Sequence, residues 1–409
     1  MFKRTVLPML VIMLLTIALF DSAAYFLLPP SYTIFAEEYR DVELLSEPVS
    51  NPPSHPAQPF QPTLTKGYPR NYFEPDGALG FDIRPGATAM ARFREGEYPI
   101  FANDVGCFDK NNLRDLQQAD RYVYFAGDSF TWGYARYEKK FATLWEQLTK
   151  TMAAKCGVTH TGQLHQFEKF KRITAKIGKF PTVVVVGFSG NDPANDLAHP
   201  HTTVISGYQV DTAYLKDGAI VRPRIDDVRN TVNSSLEGYE YQYKKDNSPW
   251  FRLKTAVKVY SLSANIMNGV MQYLKPGARQ KPASQPTPTS NFGETIYNAF
   301  TYQDTKKLYG VDPRANASKA AIKNWSEHAK ANGYQLVFLL FAPWTAFNDV
   351  EYFHHVRDWL DTCGITYIDF THIFKKAGYD VYDVYWRKDG HFNEQGNRVV
   401  AEELAKVVM

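Results

Sequence analysis

The stretch Thr182-Val183-Val184-Val185-Val186-Gly187-Phe188-Ser189-Gly190-Asn191-Asp192 decides the fold. Four successive valines, then glycine and phenylalanine, form a short apolar run with no polar alternation. Both faces of such a segment must be covered, which places it as a strand at the centre of a parallel sheet. The surrounding pattern agrees. Residues 122–126 are a short apolar run ending at Gly127, and residues 335–341 and 365–368 read as further strands. Between them, residues 141–151, 315–332, 352–362 and 395–408 carry apolar side chains at helical spacing, and Gly333 stops the second of these. Residues 252–274 have the same spacing. Alternating strands and helices predict an α/β fold of three layers, α/β/α, around a central parallel sheet. Its functional site is expected beyond the carboxyl ends of the strands.

Composition narrows the possibilities. A chain of 409 residues, 44% hydrophobic and 22% charged, can bury a sizeable core. A net charge of only +3 gives no electrostatic reason to expect a nucleic-acid partner. There is no zinc-type Cys/His spacing, no Walker loop and no glycine-rich dinucleotide fingerprint, so no metal and no organic cofactor is expected.

The first 30 residues differ in kind. Lys3 and Arg4 precede an apolar run from Val6 to Phe20; Asp21 interrupts it, and Ala23 to Leu28 resumes it before Pro29-Pro30. A basic start followed by an apolar stretch is an export signal, either an uncleaved anchor or a signal peptide cleaved near Ser22-Ala23-Ala24. Both put the rest of the chain outside the cytoplasm, and the anchor makes it a single-pass inner-membrane protein with a periplasmic domain. Residues 46–62 hold many prolines among polar residues and read as a stalk; residues 276–290, with four prolines, read as a surface linker. The expected division is 1–30 anchor, 31–66 stalk, 67–120 a lead-in segment, and 121–409 the main domain with an insertion at about 200–320. Three cysteines and an export signal allow one disulfide. Cys107 and Cys156 flank the first motif strand and are the preferred pair.

Three patches follow predicted strands. In Gly127-Asp128-Ser129-Phe130-Thr131-Trp132-Gly133, a serine sits between a buried strand and a helix, where a nucleophile is held in place. In Gly187-Phe188-Ser189-Gly190-Asn191-Asp192, Asn191 offers an amide N–H to a developing oxyanion without changing charge. In Lys388-Asp389-Gly390-His391-Phe392-Asn393, His391 suits a general base, and Asp389 can orient its ring. Asn393 is placed to cap the last helix.

Together these blocks resemble the SGNH/GDSL hydrolase superfamily. Ser129 matches its nucleophile, Asn191 its Asn block, and Asp389 with His391 its last block. Ser189 stands where the family has glycine, and Asp389 and His391 are two apart where three is commoner. In Cys156-Gly157-Val158-Thr159-His160-Thr161-Gly162-Gln163, Gly162 is the best match for the family's oxyanion glycine and Gly157 the second. The resemblance covers roughly residues 120–200 and 330–409. Upstream, Leu79-Gly80-Phe81-Asp82-Ile83-Arg84-Pro85 and Asn103-Asp104-Val105-Gly106 resemble a lead-in segment of membrane-tethered members. The resemblance implies a flavodoxin-like SGNH fold and a Ser-His-Asp triad, with the Ser129 N–H, the Gly162 N–H and Asn191 around the oxyanion. It implies a serine esterase acting on O-acyl, in particular O-acetyl, groups of a cell-envelope or exported glycan. An O-acyltransferase using the same triad, and a catalytically silent glycan-binding or assembly protein, are the alternatives. Trp325, Trp344 and Trp386 are candidate platforms for a sugar ring. His160 and His165 stand beside Gly162. Asp128 is expected to support its turn, and Asp192, Asn195 and Asp196 to form a loop network.

Overall fold

The structure is a computed structural model that describes residues 71–93, 96–216, 219–230, 309–310, 312–387 and 389–408, together with Thr16 and Val232. The chain divides into two compact units, Met1–Gln58 with Val232–Asn291, and Pro59–Thr231 with Phe292–Met409. Every element named here lies in the second. The expected N-terminal anchor, the stalk and the helix at 252–274 lie outside the described residues. Among the described residues, no helix is long and apolar enough to cross a membrane.

The sheet has five parallel strands: β1 (Tyr122–Gly127), β2 (Met152–Lys155), β3 (Val183–Ser189), β4 (Gln335–Phe341) and β5 (Thr366–Asp369). Their order is β2-β1-β3-β4-β5. That is the doubly wound, flavodoxin-like order, in which the chain reverses direction across the sheet between β1 and β3. The valine stretch therefore lies at the middle of the sheet, as its two-sided hydrophobicity requires.

Alternation along the strands sorts side chains into two cores. On one face Tyr122, Tyr124, Val184, Val186, Leu336, Phe338 and Leu340 meet Phe167, Phe170 and Ile173 of helix α2 (Gln163–Ile177). Trp325 of α3 (Asn316–Asn332) and Leu360 of α4 (His354–Cys363) complete this layer. On the other face Val123, Phe125, Val183, Val185, Val337, Leu339 and Phe341 meet Phe141 and Trp145 of α1 (Phe141–Thr149). Phe370 and Phe374 of α5 (Phe370–Lys376) and Val400 and Leu404 of α6 (Glu394–Ala405) close it. Helix α1 ends two residues short of the expected 151, because Lys150 adopts the left-handed conformation, φ +56°. Helix α6 starts at Glu394, where the Asn393 side chain accepts from the Gly396 N–H at 3.0 Å.

The segment before β1 folds as two antiparallel hairpins, Phe73–Asp76 with Gly80–Ile83 and Thr88–Phe93 with Gly96–Phe101. It is then fastened to the edge strand β2. Cys107 is joined to Cys156 by a disulfide. Two residues on, Asp109 accepts from the Lys155 ammonium at 2.8 Å and from the Lys155 backbone N–H at 3.0 Å. Glu146 holds the same ammonium at 2.8 Å. With Lys155 and Asp109 both fully buried, each charge depends on its partner for compensation.

The cross-link closes a loop with a sequence separation of 49. Loop-closure entropy for that length is about 4 kcal/mol, an upper value for the stabilisation. Replacing both Cys107 and Cys156 by Ser is expected to lower unfolding stability by about 2–4 kcal/mol. Urea titration of the two proteins measures this, and an unchanged midpoint would show that the bond does not constrain the unfolded chain.

Candidate active site

The turn that carries Ser129 begins where β1 ends. Gly127 has φ +149°, and a Cβ there would come 2.0 Å from the Thr131 Oγ1. The next residue, Asp128, caps the one-turn helix Ser129–Trp132 by accepting from the Phe130 N–H at 3.0 Å. The Trp132 N–H returns to the Asp128 carbonyl at 2.8 Å, and the Gly133 N–H to that of Ser129 at 2.9 Å. Gly157 lies behind this turn, where a Cβ would meet the Trp132 nitrogen at 2.5 Å. As expected, Asp128 supports the turn; its side chain is completely buried.

The loop before the last helix brings His391 to Ser129. His391 Nε2 lies 2.8 Å from the Ser129 Oγ, although 262 residues separate them. His391 Nδ1 is hydrogen-bonded to an Asp389 carboxylate oxygen. Between them Gly390 takes φ +78°, and a Cβ there would press on Trp344 at 3.0 Å. The loop is anchored on both sides: the His391 carbonyl accepts from the Trp386 N–H at 2.8 Å, and Phe392 is buried against Phe130, Phe341 and Tyr385. The ring of Tyr134 stacks on His391 with centroids 3.9 Å apart and planes 11° apart. The indole N–H of Trp386 holds the Tyr134 carbonyl at 2.9 Å. Thus the imidazole is fixed by a carboxylate at its edge and an aromatic ring on its face. Tyr134 escaped the sequence reading because an isolated tyrosine after a turn has no distinguishing pattern.

Asn191 stands at the end of β3 and caps the short helix Asp192–Leu197 with its carbonyl. Its side-chain oxygen meets the Ser189 hydroxyl at 2.6 Å. That hydroxyl also lies 2.6 Å from the Asp128 Oδ2, which is 3.3 Å from the Ser129 Oγ. The first and second patches are therefore linked by side chains, and not merely neighbours at adjacent strand ends. Gly162 caps the N-terminus of α2 and packs on Asp196, whose Oδ1 would lie 2.3 Å from a Cβ there. Gln163, the residue after it, donates to the Asp192 Oδ2 at 2.5 Å.

Around Gly162 the structure assembles histidines that the sequence scatters. His160, His165, His199 and His201 line a small cavity with Leu79, Phe81 and Thr202. Burial pushes His160 down to about 4 and His201 to about 3, and His165 falls well below the usual range, so these imidazoles are neutral at pH 7. An electrostatic interaction with His391 lowers His160 further. Trp325 is fully buried between Phe167 and Phe170, so it belongs to the core and offers no sugar platform. Trp344 and Trp386 are half-buried at the His391 loop. Among the described residues, the group spaced for a metal ion is His354, His355 and Asp358, at the start of α4 and on none of the three blocks.

No protein-family model matches the chain, and no curated protein does. Solved lipolytic proteins of the G-D-S-L family resemble it. A member from Veillonella parvula DSM 2008 is 11% identical, with 70% of this chain and 98% of that one covered at a TM-score of 0.32. An acetyl xylan esterase from Butyrivibrio proteoclasticus is 10% identical, with 71% and 63% covered at 0.32. An acetylxylan esterase from Geobacillus stearothermophilus is 10% identical, with 70% and 94% covered at 0.33. At these scores and identities the likeness carries no weight for the chemistry, and the case for the site is its own geometry.

One buried group gives a pH test. Burial pushes the Asp196 carboxyl up to about 7, against the Leu164 N–H that it accepts from at 2.8 Å. Its folded value is thus raised above the unfolded one. The stability it contributes is complete below about pH 4 and is lost as pH rises through about 7. Asp196→Asn keeps the acceptor and cannot ionise. It is expected to match the parent near pH 4 and to exceed it by about 1–3 kcal/mol near pH 8, read from urea midpoints. Equal midpoints at both pH values would refute a buried, titrating Asp196.

Proposed function

We propose that this chain is a serine esterase of the SGNH/GDSL kind. The observation that carries the reading is the hydrogen-bonded line Asp389–His391–Ser129, with 2.8 Å between base and nucleophile. In this mechanism His391 Nε2 takes the Ser129 hydroxyl proton as the Oγ attacks an ester carbonyl. Asp389 holds the Nδ1 proton and stabilises the imidazolium that forms. The Ser129 N–H, the Gly162 N–H and the Asn191 side chain receive the charge on the carbonyl oxygen. His391 then returns its proton to the leaving alcohol, and water, activated by the same imidazole, releases the acid from Ser129.

We assign the substrate to the O-acyl, in particular O-acetyl, groups of a glycan. Trp344, Trp386 and Tyr382, half-buried or exposed near the His391 loop, offer rings on which a sugar can lie. We place the catalytic unit outside the cytoplasm. The basic and apolar first 30 residues and the Cys107–Cys156 bond support that placement, since disulfides persist in oxidising compartments.

Release of p-nitrophenol from p-nitrophenyl acetate by the purified full-length chain tests the reading. Ser129→Ala and His391→Ala are each expected to lower kcat by about 10³-fold or more, and Asp389→Ala by about 10²–10³-fold. A Ser129→Ala protein as fast as the parent would rule out the serine mechanism.

A further inference from the structure

Ser189 stands where the family resemblance calls for glycine, and the reading that follows rests on the proposed esterase site. Its hydroxyl is completely buried among three oxygens: Asp128 Oδ2 at 2.6 Å, Asn191 Oδ1 at 2.6 Å and Asp192 Oδ1 at 3.0 Å. A hydroxyl has one proton to give and two lone pairs to offer. Three hydrogen bonds at these distances therefore require that two of the neighbours donate to it.

Asn191 can face the hydroxyl with either end of its carboxamide. With nitrogen inward, the amide donates to Ser189 and commits that N–H to the interior. With oxygen inward, it accepts the Ser189 proton, both amide hydrogens are turned outward, and the two carboxyl groups must donate. The structure shows the second arrangement, with the Asn191 Oδ1 2.6 Å from the Ser189 Oγ. Asp128 and Asp192 are completely buried, and burial pushes both carboxyls up toward the neutral acid. Gln163 leaves Asp192 Oδ1 for Ser189 by binding Oδ2. No such lock exists with glycine at position 189, which has no side chain to hold the carboxamide.

We propose that Ser189 is a positioning residue: backed by the carboxyl groups of Asp128 and Asp192, it captures the Asn191 side-chain oxygen and so turns the amide N–H groups toward the oxyanion. Ser189 itself does not touch substrate. Its effect on the reaction passes through Asn191, and it acts when charge develops on the carbonyl oxygen, not when the ester binds.

The test is a double-mutant cycle on the full-length chain with p-nitrophenyl acetate, comparing Ser189→Ala, Asn191→Ala and both together. Ser189→Ala is expected to lower kcat about 10–100-fold with KM within about twofold, and to lower the thermal unfolding midpoint, because three polar groups lose a partner. In the Asn191→Ala background the same change is expected to cost less than about twofold, because the group it positions is gone. An unmoved kcat, or losses that multiply in the double variant, would overturn the proposal. If Ser189→Ala does not fold, Ser189→Gly takes its place in the cycle. An inactive Ser129→Ala beside a fully active Asn191→Ala would sink this inference and leave the esterase standing. A fully active Ser129→Ala would instead remove the esterase reading and this inference with it.

Discussion

A single hydroxyl methyl side chain, Thr131, fills the space that two facing glycines leave open. Gly127 of β1 and Gly187 of β3 are paired in register, and a Cβ on either would come within 2.0 or 2.2 Å of the Thr131 Oγ1. The turn that carries Ser129 is thereby pressed onto two strands at once. Gly157 admits the same turn from behind. Because interiors are close-packed, a methyl group at any of the three would collide with the turn, through the Thr131 side chain at Gly127 and Gly187 and through backbone at Gly157. The position of Ser129 thus follows from what is missing at three glycines as much as from the serine's own bonds.

The rest of the site is arranged around that fixed point. Phe130, adjacent to the nucleophile, packs on Phe341, Phe392 and the His391 ring, so the same turn that presents Ser129 also shapes the seat of its base. On the opposite side Asp128 passes the constraint through Ser189 to Asn191. Covalent and ionic fastening of the lead-in hairpins at Cys107–Cys156 and Asp109–Lys155 holds the edge strand from which the Gly157 loop departs. Aromatic packing, buried acids and a cross-link each govern one approach to the serine.

Much of this was legible in the residues. The four valines announced the central strand, the strand ends pointed to Ser129 and Asn191, and the loop before the last helix pointed to His391. Periodicity failed where apolar payload was small. Strand β2, Met-Ala-Ala-Lys, has little hydrophobic area, and its lysine is buried only because Asp109 and Glu146 are there to receive it. Helix α2 was overlooked although Phe167, Phe170, Ile173 and Ile177 mark one face and Gly178 ends it, because charged and polar residues interleave them. The approach of His199 and His201 to Gly162 and the stacking of Tyr134 on His391 depend on tertiary structure, which no local pattern encodes. Trp325 illustrates the converse: its size suggested a binding surface, while its helical position dictated burial.

The 262-residue gap between Ser129 and His391 has a consequence for synthesis. The Ser129 turn and both strands that cradle it are complete once residue 189 has been made. The imidazole, its carboxylate and the helix that closes the second core all lie within the final 21 residues, 389–409. Synthesis must therefore run 262 residues past Ser129 before His391 can meet it. Chains that stop short of residue 389 keep Ser129 but lack both Asp389 and His391, so the hydrogen-bonded line through Ser129 is among the last features to form.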